Sequence, residues 1–358
     1  MIFVNDNVPL GARGMARYFS HVFHGLIDHF GDQLVVFSPV ARDYYPATHL
    51  SALHFKGSEQ LGLHDKQATW AVWRTRPQAL YSAWFNAIRT SIPQAIVIYD
   101  LIYERFPSYH SWKQTPLRNL ARERQSSLER ADIILAISHS TARDTVACYP
   151  RVDPARIRIT PLGVDPVFFA DRSAFRSTPE CPYLLYVGFR TGHKNFLRFL
   201  EAYGRSGLAR DFALRVVSAL PCRADEQQVI DRYRLGAHVQ WIPSASDAEL
   251  CAHYAEAAAF VYPSEYEGFG LPILEALAAG TMVVTSNVSS MPEIGGATAL
   301  YFDPYHIDSI ATGLRAAVEL SAAERQQRVD EGQAHARTYT WGLCQQQTIA
   351  AIQELLPR

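Results

Sequence analysis

Tyr262-Pro263-Ser264-Glu265-Tyr266-Glu267-Gly268-Phe269-Gly270-Leu271-Pro272-Ile273-Leu274-Glu275-Ala276-Leu277-Ala278-Ala279-Gly280 reads as the end of a strand, a glycine-bearing loop and the start of a helix. An apolar run closes at Tyr262, and Pro272 sits where the first helical turn is expected, a place that its fixed φ and missing N–H suit. Glycines let a backbone come close to a ligand, and a helix N-terminus offers N–H groups and partial positive charge to a phosphate. Glu267 falls in the loop and Glu275 about one turn into the helix, so both carboxylates are candidates for one ligand site. Carboxylates beside a phosphate site suit sugar hydroxyls, which donate hydrogen bonds to them.

The same strand–helix rhythm extends outward in both directions. Tyr183–Val187, Ala213–Val217, Val239–Ile242, Phe260–Tyr262, Met282–Thr285 and Leu300–Phe302 are short apolar runs that predict buried strands, with amphipathic segments between them. A helix is expected over Asp247–Ala257, capped by Ser246 or Asp247. Earlier in the chain, Ile2–Val4, Leu34–Phe37, Ala95–Tyr99, Ile133–Ile137 and Ile157–Pro161 form a first series. Met15, Tyr18, Phe19, Val22, Phe23, Leu26 and Ile27 make one apolar stripe at helical spacing. Thr115-Pro116 before Leu117–Arg130 reads as an N-cap and a Pro at N1. Continuous apolar strands alternating with helices predict parallel sheets covered on both faces. The turn-like Pro161–Pro166 and the polar Arg172–Pro182 separate the two series. The expected division is a domain of residues 1–168, a second of 169–340, and a C-terminal helical segment of 341–358.

Composition bounds the function classes. The chain has 358 residues, enough for roughly two domains. With 34 Lys+Arg against 35 Asp+Glu and a net charge of −1 it has no global attraction for nucleic acid. Cys148, Cys181, Cys222, Cys251 and Cys344 are odd in number and contain no C-x-x-C pair, which predicts reduced, mostly buried thiols in a cytoplasmic protein. Met1-Ile2-Phe3-Val4-Asn5-Asp6 lacks the basic and long apolar regions of a signal peptide, and no run reaches the ~20 apolar residues that span a bilayer. There is no Asp-x-Asp pair, Walker A, His-Glu-x-x-His or Gly-x-Ser-x-Gly. No metal or other cofactor is expected.

The segment from Tyr262 to Gly280, with Glu267 and Glu275 separated by seven residues around Gly-Phe-Gly-Leu-Pro, resembles the E-x7-E signature of the retaining GT-B glycosyltransferases of family four. The resemblance extends through Val283–Asn287 and Met291-Pro292-Glu293. It implies an α/β GT-B fold, in which two Rossmann-like βα domains face each other across a deep cleft and the terminal segment packs back on the first domain. Tyr186–Phe196 is similar to the family's loop whose Arg and Lys bind the donor diphosphate, which assigns that role to Arg190 and Lys194 with Gly188 in the same loop. Backbone amides of Gly268, Phe269, Gly270 and Leu271 would hold sugar and phosphate, Glu267 the sugar hydroxyls and Glu275 the ribose. Pro9–Tyr18 is similar to the family's glycine-rich loop before the first helix, and Gly11 and Gly14 carry over from it. Ser138 opens a segment similar to the family's Ser-x-Ser/Thr helix start, and is also a plain N-cap candidate. Ile98–Pro107 matches the family's His-Asp region, but Tyr99 stands where relatives carry the His and Asp100 follows it. A tyrosine is a poor general base at neutral pH, so the usual sugar contact is altered here.

The resemblance implies transfer of a hexose from a nucleotide diphosphate sugar to a saccharide or lipid-linked acceptor in bacterial polysaccharide synthesis. GDP-mannose comes first among donors, because the Gly188–Phe196 loop looks like that of bacterial mannosyltransferase-like members. UDP- or dTDP-linked hexoses and GDP-fucose are the alternatives, and a non-catalytic binding subunit of the same fold is another. Trp70, Trp73, Tyr81, Trp84 and Phe85, with Arg74, Arg76 and Arg89, lie in the domain expected to take the acceptor. They read as buried aromatic core, or as a surface for sugar stacking or peripheral contact with the inner face of a membrane.

Overall fold

The structure is a computed structural model that describes residues 1–6, 13–38, 51–54, 61–109, 117–169 and 181–357. The chain divides into two units, Met1–Gly163 with Trp341–Arg358, and Val164–Thr340. The division falls earlier than 168/169 because Pro166–Phe169 forms a single helical turn within the second unit. Phe168 is fully buried there, edge-on to Tyr254 at 6.0 Å. Thr115-Pro116 and residues 172–180 lie outside the described residues.

The first unit is built on a parallel sheet of seven strands: β1 (Ile2–Asn5), β2 (Leu34–Ser38), β3 (Ser51–His54), β4 (Ala79–Ser82), β5 (Gln94–Ile98), β6 (Ile133–Ala136) and β7 (Ile157–Ile159). Their order is β3-β2-β1-β4-β5-β6-β7. β3 and β4 are absent from the sequence-based expectation. β4 is only four residues, two of them Ala and Ser, yet every one is buried between β1 and β5. Helix α1 (Arg13–Phe30) turns its stripe of Tyr18, Phe19, Val22, Phe23 and Leu26 fully inward.

The last helix, Trp341–Gln353, belongs to this unit and lies on α1. Trp341 stacks on His21 at 4.2 Å, and Gln345 donates to the His21 carbonyl at 2.8 Å. Gly25 permits the approach, since a Cβ at that position would fall 2.6 Å from Gln345 Cγ. Gly25→Val should therefore cost about 1–3 kcal/mol through overpacking. A thermal melt checks this, and an unchanged transition would show that the helix rides free of α1.

The second unit holds a parallel sheet of six strands: β8 (Tyr183–Val187), β9 (Ala213–Val217), β10 (Val239–Ile242), β11 (Ala259–Tyr262), β12 (Val283–Ser286) and β13 (Leu300–Phe302). They are ordered β10-β9-β8-β11-β12-β13. Leu184, Tyr186, Leu214, Val216, Val261 and Val284 meet helix residues such as Phe196, Phe199 and Leu314 in one buried cluster. Ser246 caps the helix Asp247–Glu256, accepting from the Glu249 N–H while Glu249 returns a bond to the Ser246 N–H. Each unit's sheet thus runs outward from its first strand on one side and then on the other. The switch in winding direction lies between β1 and β4 in the first unit, and between β8 and β11 in the second. Open α/β sheets bind ligands at the carboxyl ends of strands at such a switch.

No disulfide joins the five cysteines, and only Cys251 and Cys344 are fully buried, fewer than the composition suggested. No described helix is long and apolar enough to cross a membrane.

Candidate active site at the second sheet

Two loops leave the carboxyl ends of β8 and β11, on either side of the switch. Gly188 opens the first with φ +129° while its N–H pairs with the Val217 carbonyl at 3.0 Å. Asn195, at φ +56°, closes it, and its side-chain amide donates to the carbonyls of Pro263 at 3.0 Å and Pro304 at 2.8 Å. The Glu265 N–H reaches back to the His193 carbonyl at 2.7 Å, and Arg198 pairs with Glu265. The two loops are therefore laced together by main chain, an amide and an ion pair.

That lacing brings Lys194 to Glu267, with Nζ and Oε1 2.7 Å apart and side chains 19% and 12% exposed. Lys194 also donates to the Tyr262 hydroxyl at 3.4 Å and lies 5.6 Å from that ring's centroid. Burial alone would push the Glu267 carboxyl up. The Lys194 ammonium, the His193 ring and the Lys194 hydrogen bond outweigh it and hold the carboxyl below the ordinary Glu value. Glu267 is thus an anion at neutral pH, suited to accepting hydrogen bonds and unsuited to donating a proton.

The main chain around Glu267 is fixed by a pair of serines that the sequence reading passed over. Ser289 donates to the Glu267 carbonyl at 2.7 Å and accepts the Glu267 N–H at 3.2 Å. Ser290 donates to the carbonyls of Glu267 at 2.9 Å and Phe269 at 2.7 Å. They stand just before Met291-Pro292, at the start of a short helix. Gly270 precedes the helix Leu271–Ala278 at φ +110°, where a side chain would be strained and would also crowd Ile273 at 3.3 Å. Gly268 and Phe269 are buried, with Phe269 edge-on to Tyr339 at 6.0 Å, and Leu271 is half-buried. Glu275 sits inside the helix Leu271–Ala278 and is 6% exposed, its Oε2 accepting the Tyr254 hydroxyl at 3.1 Å.

Other expected site residues sit differently. Arg190 is not beside Lys194 as a second diphosphate ligand. Its side chain is fully buried, with Nε on Glu226 at 3.0 Å and its two terminal nitrogens on the carbonyls of Leu220 and Pro221. Its guanidinium carbon also lies 4.7 Å from the Trp241 ring centroid. With three of its donors spent inside the unit and no side-chain surface exposed, Arg190 offers nothing to a phosphate at the site. In the first unit, Tyr99 is buried and its hydroxyl donates to the Ala83 carbonyl at 2.9 Å, so it does not serve as a free sugar contact. Asp100 accepts the Ile102 N–H at 3.1 Å, a local cap. Ser138 is fully buried as the N-cap of the helix His139–Cys148, accepting from the Thr141 N–H at 3.0 Å, and is not presented to a ligand. Gly14 is exposed in α1 with nothing within 4 Å of an added Cβ, and Gly11 lies outside the described residues. Of the aromatic stretch, Tyr81 and Phe85 are core, whereas Trp70 and Trp73 are 43% and 69% exposed.

Among the described residues, no group of three or more His, Cys, Asp or Glu is placed to hold a metal ion.

Residues 168–335 match the family described as glycosyl transferases group 1, and residues 12–168 match glycosyltransferase family 4. The O-antigen chain mannosyltransferase B of Escherichia coli is 28% identical over 311 residues, covering 82% of this chain and 78% of that one. The MMP alpha-(1->4)-mannosyltransferase of Mycolicibacterium hassiacum is 28% identical over 229 residues, 63% of this chain and about half (54%) of that one. In fold, the chain is similar to WaaG, a glycosyltransferase involved in lipopolysaccharide biosynthesis, with a TM-score of 0.74 at 16% identity over 98% of both chains.

Proposed function

Since the chain is a glycosyltransferase of the GT-B fold, we propose that it moves a mannose from GDP-mannose to a saccharide or lipid-linked saccharide in bacterial polysaccharide synthesis, with the anomeric configuration retained. The observation that carries this reading is the Lys194–Glu267 pair at the strand switch of the second sheet. Similarity to mannosyltransferases supports the choice of sugar.

In this mechanism Lys194 turns from Glu267 to the donor diphosphate and neutralises the charge that develops on the leaving group, an electrostatic contribution that grows towards the transition state. Amides at Gly268–Leu271 add hydrogen bonds to sugar and phosphate, and the helix Leu271–Ala278 directs the positive end of its dipole to the same place. Glu267, released from Lys194, accepts hydrogen bonds from sugar hydroxyls and so orients the anomeric carbon. Glu275 binds the ribose through its second oxygen while Tyr254 holds the first. The acceptor hydroxyl oxygen attacks the anomeric carbon on the face the diphosphate leaves, the carbon–phosphate-oxygen bond breaks, and the hydroxyl proton passes to the departing phosphate. Lysine supplies the charge that a metal would otherwise supply, so activity should survive chelation.

A thermal-shift panel of GDP, UDP, dTDP and their sugars tests the donor. At a hundredfold excess over Kd the matching nucleotide should stabilise the protein by about 2.7 kcal/mol, roughly 5–10 °C for a unit of this size. GDP and GDP-mannose are expected to give the largest rise. A larger rise with UDP or dTDP moves the donor to that base, and no rise with any nucleotide overturns the reading.

A further inference from the structure

Ser289 adopts φ +57°, a left-handed conformation that is costly for a residue with a side chain and that glycine takes freely. It lies in the turn between β12 and the short helix Met291–Gly295 and is partly exposed, so its side chain fills no core. Strain of this kind persists where the surroundings over-determine it, and it gathers at functional sites.

What serine adds at this position, and glycine could not, is a hydroxyl. It donates to the Glu267 carbonyl at 2.7 Å and accepts the Glu267 N–H at 3.2 Å. Both main-chain groups of one residue, 22 positions earlier in the chain, are thus closed by a single side chain. The fully buried Ser290 bonds the same carbonyl and that of Phe269, but not the Glu267 N–H, so it does not duplicate Ser289.

These serine bonds leave the Glu267 carboxylate alone, whose ion-pair partner is Lys194. That separation matters in the reaction proposed above. When Lys194 turns to the diphosphate, the carboxylate loses its ion pair, and its place relative to the sugar is set by the main chain that carries it. Such placement is demanding, since an error of about 1 Å can cost on the order of a hundredfold in rate.

We propose that Ser289 is a positioning residue for the donor sugar: its hydroxyl clamps the main chain of Glu267 and so holds the carboxylate in place for sugar hydroxyls while the Lys194 pair is open. The proposal rests on the reading of Glu267 as the sugar-binding carboxylate. The fold itself does not need this hydroxyl. In Ser289→Gly the Glu267 carbonyl keeps Ser290, and the strained φ becomes an ordinary one for glycine.

Calorimetry on the full chain with GDP and GDP-mannose, beside thermal melts, tests the role. UDP with UDP-glucose, or dTDP with dTDP-glucose, takes their place if the nucleotide panel selects that base. Ser289→Gly should melt within about 2 °C of the wild type and bind GDP within twofold of it. It should bind GDP-mannose at least fivefold more weakly, because only the sugar meets Glu267. Ser289→Ala keeps the strain and loses the hydroxyl, so it should melt below Ser289→Gly yet show the same sugar-specific loss. A purely structural role would weaken GDP and GDP-mannose alike. Glu267→Ala should shift the ratio of GDP-mannose to GDP affinity at least as far, and adding Ser289→Gly to it should shift that ratio no further, as expected of two residues acting as one unit. An unshifted ratio in Ser289→Gly, or an additive shift in the double variant, overturns the positioning role alone. An unshifted ratio in Glu267→Ala, or a wild type that binds none of the three nucleotide sugars, overturns the reading of Glu267 and the proposal with it.

Discussion

Glu267→Ala should lower the rate of sugar transfer by about 10²–10³-fold while leaving the melting temperature nearly unchanged. The magnitude is that of losing one preorganised charge-bearing contact to the transition state. Stability is spared because Glu267 and Lys194 both retain access to water, at 12% and 19% side-chain exposure, and Lys194 keeps the Tyr262 hydroxyl and ring when its carboxylate partner goes. The ion pair is therefore worth little to the fold, which is what a pair that must separate in each turnover requires. The same variant makes a second, less obvious forecast. With its competitor removed, Lys194 is free for phosphate, so GDP should bind Glu267→Ala at least as tightly as it binds the wild type. Lys194→Ala should instead lose both GDP affinity and transfer. Steady-state kinetics and calorimetry on the two variants separate these outcomes. Full turnover by a folded Glu267→Ala protein would remove Glu267 from the chemistry, and weaker GDP binding by that variant would show that the pair does not open.

The architecture is legible in the sequence wherever burial forces a continuous apolar run. β8, β9 and β10 are read with the bounds they have. β8 is apolar throughout because a strand covered on both faces has no room for polar alternation, while Arg215 in β9 and the exposed Gln240 in the edge strand β10 leave enough apolar residues around them to mark the run. β4 escapes because Ala79 and Ser82 look like neither, and its strand character comes from the β1 and β5 edges that close on it. Lys194 and Glu267 are each legible as site residues, but their pairing is not, since it comes from two loops that leave strands on either side of the switch point and converge by topology. Ser289 and Ser290 act through hydroxyls on main-chain carbonyls across 20 or more residues of chain, as in the Ser290–Phe269 bond with its separation of 21. No local pattern encodes that. Tyr99 shows a related limit, since only the fold discloses that its hydroxyl is spent on Ala83, 16 residues earlier.

Arg190 is the sharpest case, because residue type and loop position both suggest a phosphate ligand while burial says otherwise. Arg190→Ala should destabilise the protein by about 3–5 kcal/mol, the range for breaking a buried pair by deleting one partner. Glu226 would be left with its side chain fully buried and its 3.0 Å partner gone, keeping only the Arg223 N–H at 2.8 Å and the Arg223 guanidinium at 3.9 Å. The carbonyls of Leu220 and Pro221 would lose their donors, and the Trp241 and Phe196 rings would lose the group between them. For a unit of this size the cost corresponds to a fall of roughly 6–20 °C in melting temperature. Replacing both partners, as Arg190→Met with Glu226→Leu, should recover much of the loss, since an apolar pair of similar volume needs no desolvation. A phosphate ligand makes the opposite forecast: Arg190→Ala would melt like the wild type, bind GDP weakly, and gain nothing from a second change at Glu226. Melting curves of the single and double variants, with GDP titrated into each below its transition, decide between them. The buried Arg190–Glu226 pair predicts that the single variant melts early, and on the proposed donor site the folded variant should still bind GDP through Lys194.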